Sequence, residues 1–126
     1  MTSRENFEAS LAKIADLDKS GYQLNSVLAV AENLTFNEID GPLTGVPILI
    51  KDNIEALGLP ATAGSLALAD TPVVRDSTIA KRLRAAGATI IGSTNLSEWA
   101  NIRSGKSTSG WSAVGGLTAN PWKHAH

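Results

Sequence analysis

A short apolar run that ends abruptly in a lysine constrains the fold of this sequence more than any other feature. Residues 46–50 read Val-Pro-Ile-Leu-Ile, and Lys51 follows them directly. A compact apolar run preceded by turn residues is typical of a strand buried on both faces. Pro47 has no amide hydrogen to give to a neighbouring strand, so the strand should begin there. Because side chains alternate along a strand, Lys51 shares the face of Leu49, and its ammonium group must reach either solvent or a shielded polar pocket.

A helix and a second apolar run follow at the spacing of a β-α-β unit. Asp76 or Ser77 can cap a helix over residues 78–86, and Gly87 can end it. The next run, residues 88–92, reads Ala-Thr-Ile-Ile-Gly. Strand, helix and strand in this order predict two parallel strands joined by a right-handed crossover. The sequence therefore predicts an α/β fold.

The flanking segments give shorter and less regular patterns. Apolar residues recur at helical spacing over residues 7–17, which predicts a helix there. Residues 24–31 are compatible with either a short strand or a buried connector. A further short helix is expected over residues 96–102 with Asn95 as its cap. After Arg103 the sequence is rich in glycine, and we expect a loop without regular structure.

Composition and charge exclude several classes of function. The 126 residues carry a net charge of −1 and include no cysteine. A nearly neutral chain has no field that attracts nucleic acid or anionic lipid, and without cysteine no disulfide or thiolate nucleophile can form. No apolar stretch is long enough to span a bilayer, and the first 16 residues lack the apolar core of a signal peptide. We therefore expect a cytoplasmic protein that binds neither nucleic acid nor membrane.

Lys51 is the candidate functional residue that its position alone singles out. It follows a predicted buried strand, and sites in open α/β sheets gather at the carboxyl ends of the strands. A lysine accepts a proton only when it is neutral, and burial favours the neutral form of an amine. The position is also compatible with a structural role, in which the Lys51 ammonium extends to solvent or pairs with Asp52 or Glu55.

Other polar and aromatic residues give weaker indications. His124 and His126 stand two residues apart, but two histidines without a supporting carboxylate or cysteine make a poor metal site. The sequence has no Gly-x-Ser-x-Gly elbow, phosphate-binding loop or dinucleotide fingerprint, so we expect neither a metal nor a cofactor. The remaining candidates could line a pocket or merely support the loops: Trp99, Trp111, Trp122, Ser107, Ser109 and Ser112.

Several segments, taken in order, resemble the amidase signature family. The first is Gly41-Pro42-Leu43-Thr44-Gly45-Val46-Pro47-Ile48-Leu49-Ile50-Lys51-Asp52-Asn53-Ile54. It is followed by Thr62-Ala63-Gly64-Ser65, by residues 86–92, by Thr94-Asn95-Leu96-Ser97-Glu98-Trp99-Ala100 and by Gly115-Gly116-x-Thr118-x-Asn120-Pro121-Trp122. The pieces at residues 98–101 and 109–112 are most similar to the bacterial peptide amidase branch of that family.

The resemblance implies a fold, a reaction and a role for Lys51. Members of the family hydrolyse or transfer amides through a serine nucleophile, a second serine on a cis peptide bond, and a lysine. Lys51 occupies the position of that lysine, which implies a neutral Lys51 that takes a proton from the bridging serine and so activates the nucleophile. The implied fold is the N-terminal portion of a mixed β-sheet sandwiched by helices, with at least one parallel βαβ unit.

The sequence departs from the family pattern where the two serines belong. In the family both serines lie in a Gly/Ser-rich segment just past the Asn-Pro motif, and no serine of this sequence occupies a matching position. We therefore expect residues 1–126 to be the N-terminal fragment of a single amidase domain, with a helical lead-in over 1–40 and a family-like segment over 41–122. On its own this fragment should leave Lys51 hydrated and be inactive toward amides.

Two functional interpretations remain open at this point. In an intact enzyme the substrate would be a small-molecule or peptide amide, cleaved at a carbon-nitrogen bond other than a peptide bond. Alternatively, the chain is a non-catalytic binding or docking module derived from an amidase. The strands over 46–51 and 88–92 should lose neighbours and leave open sheet edges. We therefore expect either self-association or a complementary C-terminal fragment as the partner.

Overall fold

The computed structural model describes residues 2–123, in which short helices alternate with short strands. The elements are α1 (Ser3–Lys13), a π-helical turn (Ile14–Asp18), β1 (Val27–Val30), β2 (Pro47–Lys51), a 3-10 turn (Leu66–Leu68), α2 (Thr78–Ala85), β3 (Thr89–Thr94), a second 3-10 turn (Glu98–Asn101), β4 (Trp111–Ser112) and β5 (Gly116–Leu117). This arrangement confirms the predicted α/β class.

Three of the strands form a mixed sheet in the order β1-β3-β2. β2 runs parallel to β3, whereas β1 runs antiparallel to it. Because α2 lies between β2 and β3 in the chain, the predicted parallel βαβ unit is confirmed. The expectation of an open edge holds for β2 among the described residues. It is wrong for residues 88–92, because β1 covers the second side of β3.

β2 buries one of its faces and leaves the other accessible. Ile50 is 4% exposed, whereas Leu49 is 37% exposed. The prediction of a strand buried on both faces is therefore wrong for the described residues, since β2 is an edge strand with an accessible Leu49 face. Pro47 is the first residue of the strand, as predicted. The core that receives Ile50 also contains Ala56, Leu59, Ala80 and Ile90.

The ends of α2 follow from its flanking residues. The Ser77 hydroxyl accepts a hydrogen bond from the Ala80 amide (3.2 Å), so Ser77 is the cap. Asp76, the other candidate, instead accepts from the Arg84 guanidinium at 3.0 Å. Gly87 has a φ of +99°, the left-handed conformation that commonly ends a helix.

The first 40 residues are helical only at their start. The helix predicted over 7–17 is observed as α1 followed by the π-helical turn. Phe7 is the buried residue of α1, and the Phe7 ring meets Phe36 edge-on with the centroids 5.7 Å apart. For residues 24–31 the structure selects the strand alternative, β1.

Two expectations about the segment after β3 are wrong. The helix expected over 96–102 is only the second 3-10 turn, and no side chain caps it, because Asn95 is engaged elsewhere. The region after Arg103, expected to be loop throughout, includes an antiparallel pairing of β4 with β5. The last three residues of this 3-10 turn have a left-handed backbone, with φ values of 49°, 54° and 62° for Trp99, Ala100 and Asn101.

Candidate active site

Lys51 is the last residue of β2 and lies opposite Thr94, the last residue of β3. The two parallel strands therefore end side by side, and the Lys51 side chain projects from the accessible face of the sheet. Lys51 is exposed, which agrees with the expectation that Lys51 is hydrated in residues 1–126. The shielding that a neutral amine requires is not provided by residues 2–123.

The structural alternative of an ion pair for Lys51 is not realised among the described residues. Glu55 binds the Arg75 guanidinium instead, with 3.4 Å between Oε2 and Nε. The Asp52 carboxyl group lies on the opposite, buried face of the strand end. Lys51 thus stands without a carboxylate partner within residues 2–123.

Asp52 is fully buried beside this exposed lysine. Its Oδ2 accepts hydrogen bonds from the Thr62 amide (3.1 Å) and from the Thr62 hydroxyl. Its Oδ1 receives no hydrogen bond from any residue in the described range, and the same holds for the buried hydroxyl of Ser93. Burial raises the pKa of Asp52 above its ordinary value more than the hydrogen bonds from Thr62 and Gly64 lower it. The strand end therefore combines an exposed cation with a buried, half-satisfied carboxyl group.

Asn95 holds the β4–β5 hairpin against the end of β3. Its amide nitrogen donates to the Gly116 carbonyl (2.9 Å) and the Thr118 hydroxyl (3.1 Å), and its amide oxygen accepts from the Ser112 hydroxyl (2.7 Å). The Ser112 hydroxyl also accepts from the Gly115 amide at 2.8 Å. This network fixes the glycine-rich segment close to the strand ends instead of leaving it as a flexible loop.

Two of the three tryptophans share a pocket. Trp99 and Trp111 line a cavity of about 250 Å³, whereas Trp122 is 91% exposed and does not take part. The cavity combines aromatic surface with charged and hydroxyl groups, which suits it to an organic molecule with a polar group. Its other lining residues are Glu98, Asn101, Arg103, Ser107 and Thr108.

The candidate serines of the glycine-rich segment serve the local backbone. The Ser107 hydroxyl donates to the Ser104 carbonyl at 3.0 Å, and Ser112 belongs to the Asn95 network. Ser109 is exposed. The structure therefore provides no lysine–serine pairing at the end of β2 among the described residues.

The remaining candidate features are a metal site, a membrane span and two further cavities. Within residues 2–123, no group of three or more His, Cys, Asp or Glu side chains is placed to hold a metal ion. The predicted His124 and His126 pair lies outside the described residues. No helix of the described part is long and apolar enough to cross a membrane. Two larger cavities, of about 440 and 630 Å³, are not lined by Lys51.

Sequence reasoning missed Asp52 and Asn95 as site residues. A signal for Asp52 was present, because strand alternation places the residue after Lys51 on the face of Ile50. A carboxyl group directed into a core requires hydrogen-bond partners, and Thr62 supplies them. Asn95 gave no comparable signal, since its partners Gly116 and Asn25 are 21 and 70 residues away in the chain.

Comparison with known proteins identifies the family. The Amidase family model matches residues 7–126. The chain is 40% identical to a glutamyl-tRNA(Gln) amidotransferase chain from Methanococcoides burtonii, over 98% of this chain and 26% of that protein. It is 49% identical to a probable amidase of Arabidopsis thaliana, over 64% of this chain and 16% of that protein.

Solved structures agree with these sequence matches. The native peptide amidase from Stenotrophomonas maltophilia superposes with a TM-score of 0.90 at 41% identity, covering 97% of this chain and 27% of its own. An amidase family protein from Bacillus anthracis gives a TM-score of 0.88 at 32% identity, covering 97% of this chain and 26% of its own. The chain thus spans about a quarter of the length of these relatives. The identity to the peptide amidase supports the predicted bacterial peptide amidase branch, and the chain belongs to the amidase signature family.

Proposed function

We propose that this chain supplies the lysine-bearing part of an amide-cleaving enzyme of the Ser-cisSer-Lys type, with Lys51 as its base. The observation that carries the proposal is the position of Lys51 at the shared carboxyl end of two parallel strands, with its side chain on an accessible face. Sites of open α/β sheets gather at such ends. The family motif around Lys51 supports the same role.

In the proposed reaction, both serine hydroxyls reach Lys51 from sequence beyond the described residues. That segment covers the accessible face of β2 and excludes water, which favours the neutral amine. The Lys51 amine then takes the proton of the bridging serine, and that serine takes the proton of the nucleophile as it attacks the amide carbonyl. The leaving amine receives the proton, and water hydrolyses the resulting serine ester.

The proposed substrate is a small-molecule or peptide amide cleaved at a carbon-nitrogen bond other than a peptide bond. The 41% identity to a peptide amidase supports an amide-hydrolysing reaction, and the chain is similar to an amidotransferase chain at 40% identity. The Trp99–Trp111 cavity supports contact with the organic part of such a substrate. The scheme uses no metal and no cofactor, and a cytoplasmic location forms part of the same proposal.

Complementation with a relative tests this function. Residues 1–126 are co-expressed with the part of the S. maltophilia peptide amidase that this chain does not match, and ammonia release from a peptide amide is measured. We expect turnover by the complex, and Lys51→Ala should lower it by roughly 10²–10⁴-fold, the range for loss of a general base. Lys81→Ala is the matched control, because Lys81 is an exposed lysine on α2.

Two results would contradict the proposal. A Lys51→Ala complex as active as the Lys81→Ala control would remove Lys51 from the reaction. Turnover by residues 1–126 alone would show that the chain needs no serines from elsewhere. Circular dichroism of Lys51→Ala checks that the fold is intact, because an exposed side chain should tolerate truncation.

The alternative function, a non-catalytic binding module, is favoured by one observation. β2 is an edge strand of the described sheet; its Leu49 is 37% exposed, and Val46, just before the strand, is 40% exposed. Open edges of this kind pair with further strands. Native mass spectrometry distinguishes the two functions: a stable complex with the complementary part but no turnover supports the module, whereas turnover supports the enzyme.

A further inference from the structure

One turn, at residues 62–64, connects three parts of the candidate site. The Ala63 amide donates to the Asp52 carbonyl at the end of β2 (3.2 Å), and the Trp99 amide donates to the Ala63 carbonyl (2.9 Å). The Val114 amide, from the hairpin, donates to the Gly64 carbonyl (3.3 Å). The lysine strand, the tryptophan cavity and the hairpin therefore share this turn as a common support.

The turn is held under tight steric constraint. Gly64 has a φ of +80°, and a Cβ atom there would lie 2.7 Å from the Ser112 Cβ. Ala63 also has a left-handed backbone, with a φ of 52°. Non-glycine residues in this conformation are strained and persist where the surrounding structure enforces them, often at functional sites.

Asp52 is the ionisable side chain that fastens this turn to the lysine strand. The Asp52 amide extends the ladder by donating to the Thr94 carbonyl (3.2 Å), and the Asp52 carboxyl accepts from the Thr62 amide and hydroxyl. The Thr62 hydroxyl in turn accepts from the Gly64 amide at 3.0 Å. Asp52 and Thr62 are 0% and 1% exposed, so water does not compete for these bonds.

We propose that Asp52 is a positioning residue for Lys51, because its buried carboxyl group locks the end of β2 to the 62–64 turn. The lock sets the distance between the Lys51 amine and the Trp99–Trp111 cavity, which the same turn supports. This inference rests on the proposed function, since positioning matters only if Lys51 takes part in the reaction.

The chemistry at Asp52 agrees with a role in the site. A fully buried carboxyl group with one oxygen unpaired is costly, and a neutral residue would fasten the turn at lower cost. Burial raises the pKa of Asp52 and so favours its neutral form.

The first test uses the 126-residue chain itself. Backbone ¹⁵N order parameters are measured for Lys51 and for the 62–64 turn in Asp52→Ala, Asp52→Asn and Thr62→Val. We expect the Lys51 value to fall from about 0.85 to below about 0.6 in Asp52→Ala, the change from rigid to flexible backbone. Asp52→Asn should stay rigid, because the amide oxygen still accepts from Thr62. Asp70→Asn, at an exposed carboxylate, is the charge-matched control.

Unchanged order at Lys51 in both Asp52→Ala and Thr62→Val would overturn the proposal. If Asp52→Ala does not fold, Thr62→Val decides, because valine keeps the shape of threonine and removes the hydroxyl that donates to Asp52 and accepts from the Gly64 amide. Mobility at Lys51 in Thr62→Val then supports the lock, and rigidity there contradicts it.

The second test measures catalysis in the complemented enzyme. Misplacing a catalytic group by about 1 Å can cost about 100-fold in rate. We therefore expect about that loss of kcat in Asp52→Ala with KM nearly unchanged, and recovery of most activity in Asp52→Asn. A merely structural role would reduce the amount of folded enzyme and leave kcat per folded molecule unchanged, which would overturn the proposal. An inactive wild-type complex would instead contradict the proposed function, while the order parameters still decide whether Asp52 holds Lys51.

Discussion

Two buried aspartates, in two regions of the molecule, differ in how completely their carboxyl groups are hydrogen-bonded. Asp18, at the end of the π-helical turn, is 3% exposed and uses both carboxylate oxygens. It accepts from the Ser26 amide (2.6 Å), the Ser26 hydroxyl (2.5 Å) and the Val27 amide (3.0 Å), and the Lys19 ammonium lies 3.4 Å away. Asp52, at the end of β2, is bonded through one oxygen only among the described residues.

The two environments shift the carboxyl groups in opposite directions. Burial alone would raise the pKa of Asp18, but the hydrogen bonds from Ser26 and Val27 and the charge of Lys19 together hold it below its ordinary value of 3.8. Burial dominates at Asp52 and raises its pKa above the same value. A fully satisfied carboxylate of the first kind stabilises a fold, whereas a half-satisfied one lowers stability, which is one reason for the role proposed for Asp52.

Asp18→Asn should produce the largest loss of stability. Asparagine offers one acceptor oxygen where Asp18 uses two, so a buried amide donor at Val27 or Ser26 loses its partner. Hydrogen bonds to charged groups contribute about 1.5–3 kcal/mol each, so we expect the free energy of unfolding at neutral pH to fall by about 2–3 kcal/mol. Urea unfolding monitored by circular dichroism measures this loss, with Asp16→Asn as the exposed control.

The pH dependence of the same variant checks the cause. A group with a lowered folded pKa contributes stability above its unfolded value, near 3.8, and loses it as pH falls through the folded pKa. The difference between wild type and Asp18→Asn should therefore be constant near neutrality and shrink on acidification below pH 3.8. A difference independent of pH would mean that the charge of Asp18 contributes nothing.

Asp52→Asn should have a smaller effect with the opposite pH dependence. Its folded pKa is raised, so its contribution is fully present below the unfolded value of 3.8 and is lost as pH rises through the folded pKa. Relative to wild type, the variant should therefore gain stability as pH increases above 3.8. Urea unfolding between acidic and neutral pH measures this trend. If the stability of Asp18→Asn and of Asp52→Asn relative to wild type changed with pH in the same direction, the proposed difference between the two regions would be wrong.

The two regions also differ in how much of them the sequence could predict. The β2–α2–β3 unit was predictable because its signals are local: Pro47 begins a strand, Ser77 caps a helix and Gly87 ends it. The hairpin was missed because strands of two residues are too short to show a period. Its anchor, Asn95, bonds to residues remote in sequence, so local propensity could not reveal it.

The site itself was predictable only in part. The family motif singles out Lys51 as the candidate base, which stays a prediction, and the expectation that Lys51 is hydrated in this chain agrees with its exposure. The buried partner network of Asp52 depends on where the 62–64 turn returns to the strand end. That return is a property of tertiary packing, which neither the motif nor the strand pattern encodes.

Ser93→Ala should have the smallest effect, and it tests whether the buried face near the end of β2 holds an unpaired hydroxyl. Ser93 pairs with Ile50 across β2 and β3, is 0% exposed, and its hydroxyl has no partner among the described residues. Removing an unpaired buried hydroxyl sacrifices no hydrogen bond, so the free energy of unfolding should change by less than about 0.5 kcal/mol or rise. Urea unfolding measures the difference.

Ser112→Ala is the matched control for that measurement. Ser112 is equally buried, but its hydroxyl donates to Asn95 and accepts from Gly115. Its removal leaves a buried acceptor and a buried donor unpaired, which should cost about 1–3 kcal/mol. If Ser93→Ala costs as much as Ser112→Ala, the Ser93 hydroxyl is hydrogen-bonded in solution, and the buried face near the end of β2 does not hold an unpaired hydroxyl. A near-zero cost for Ser93→Ala alone would show that the buried face near the end of β2 keeps an unpaired polar group, in contrast to the Asp18 region, where Ser26 and Val27 bond both carboxylate oxygens.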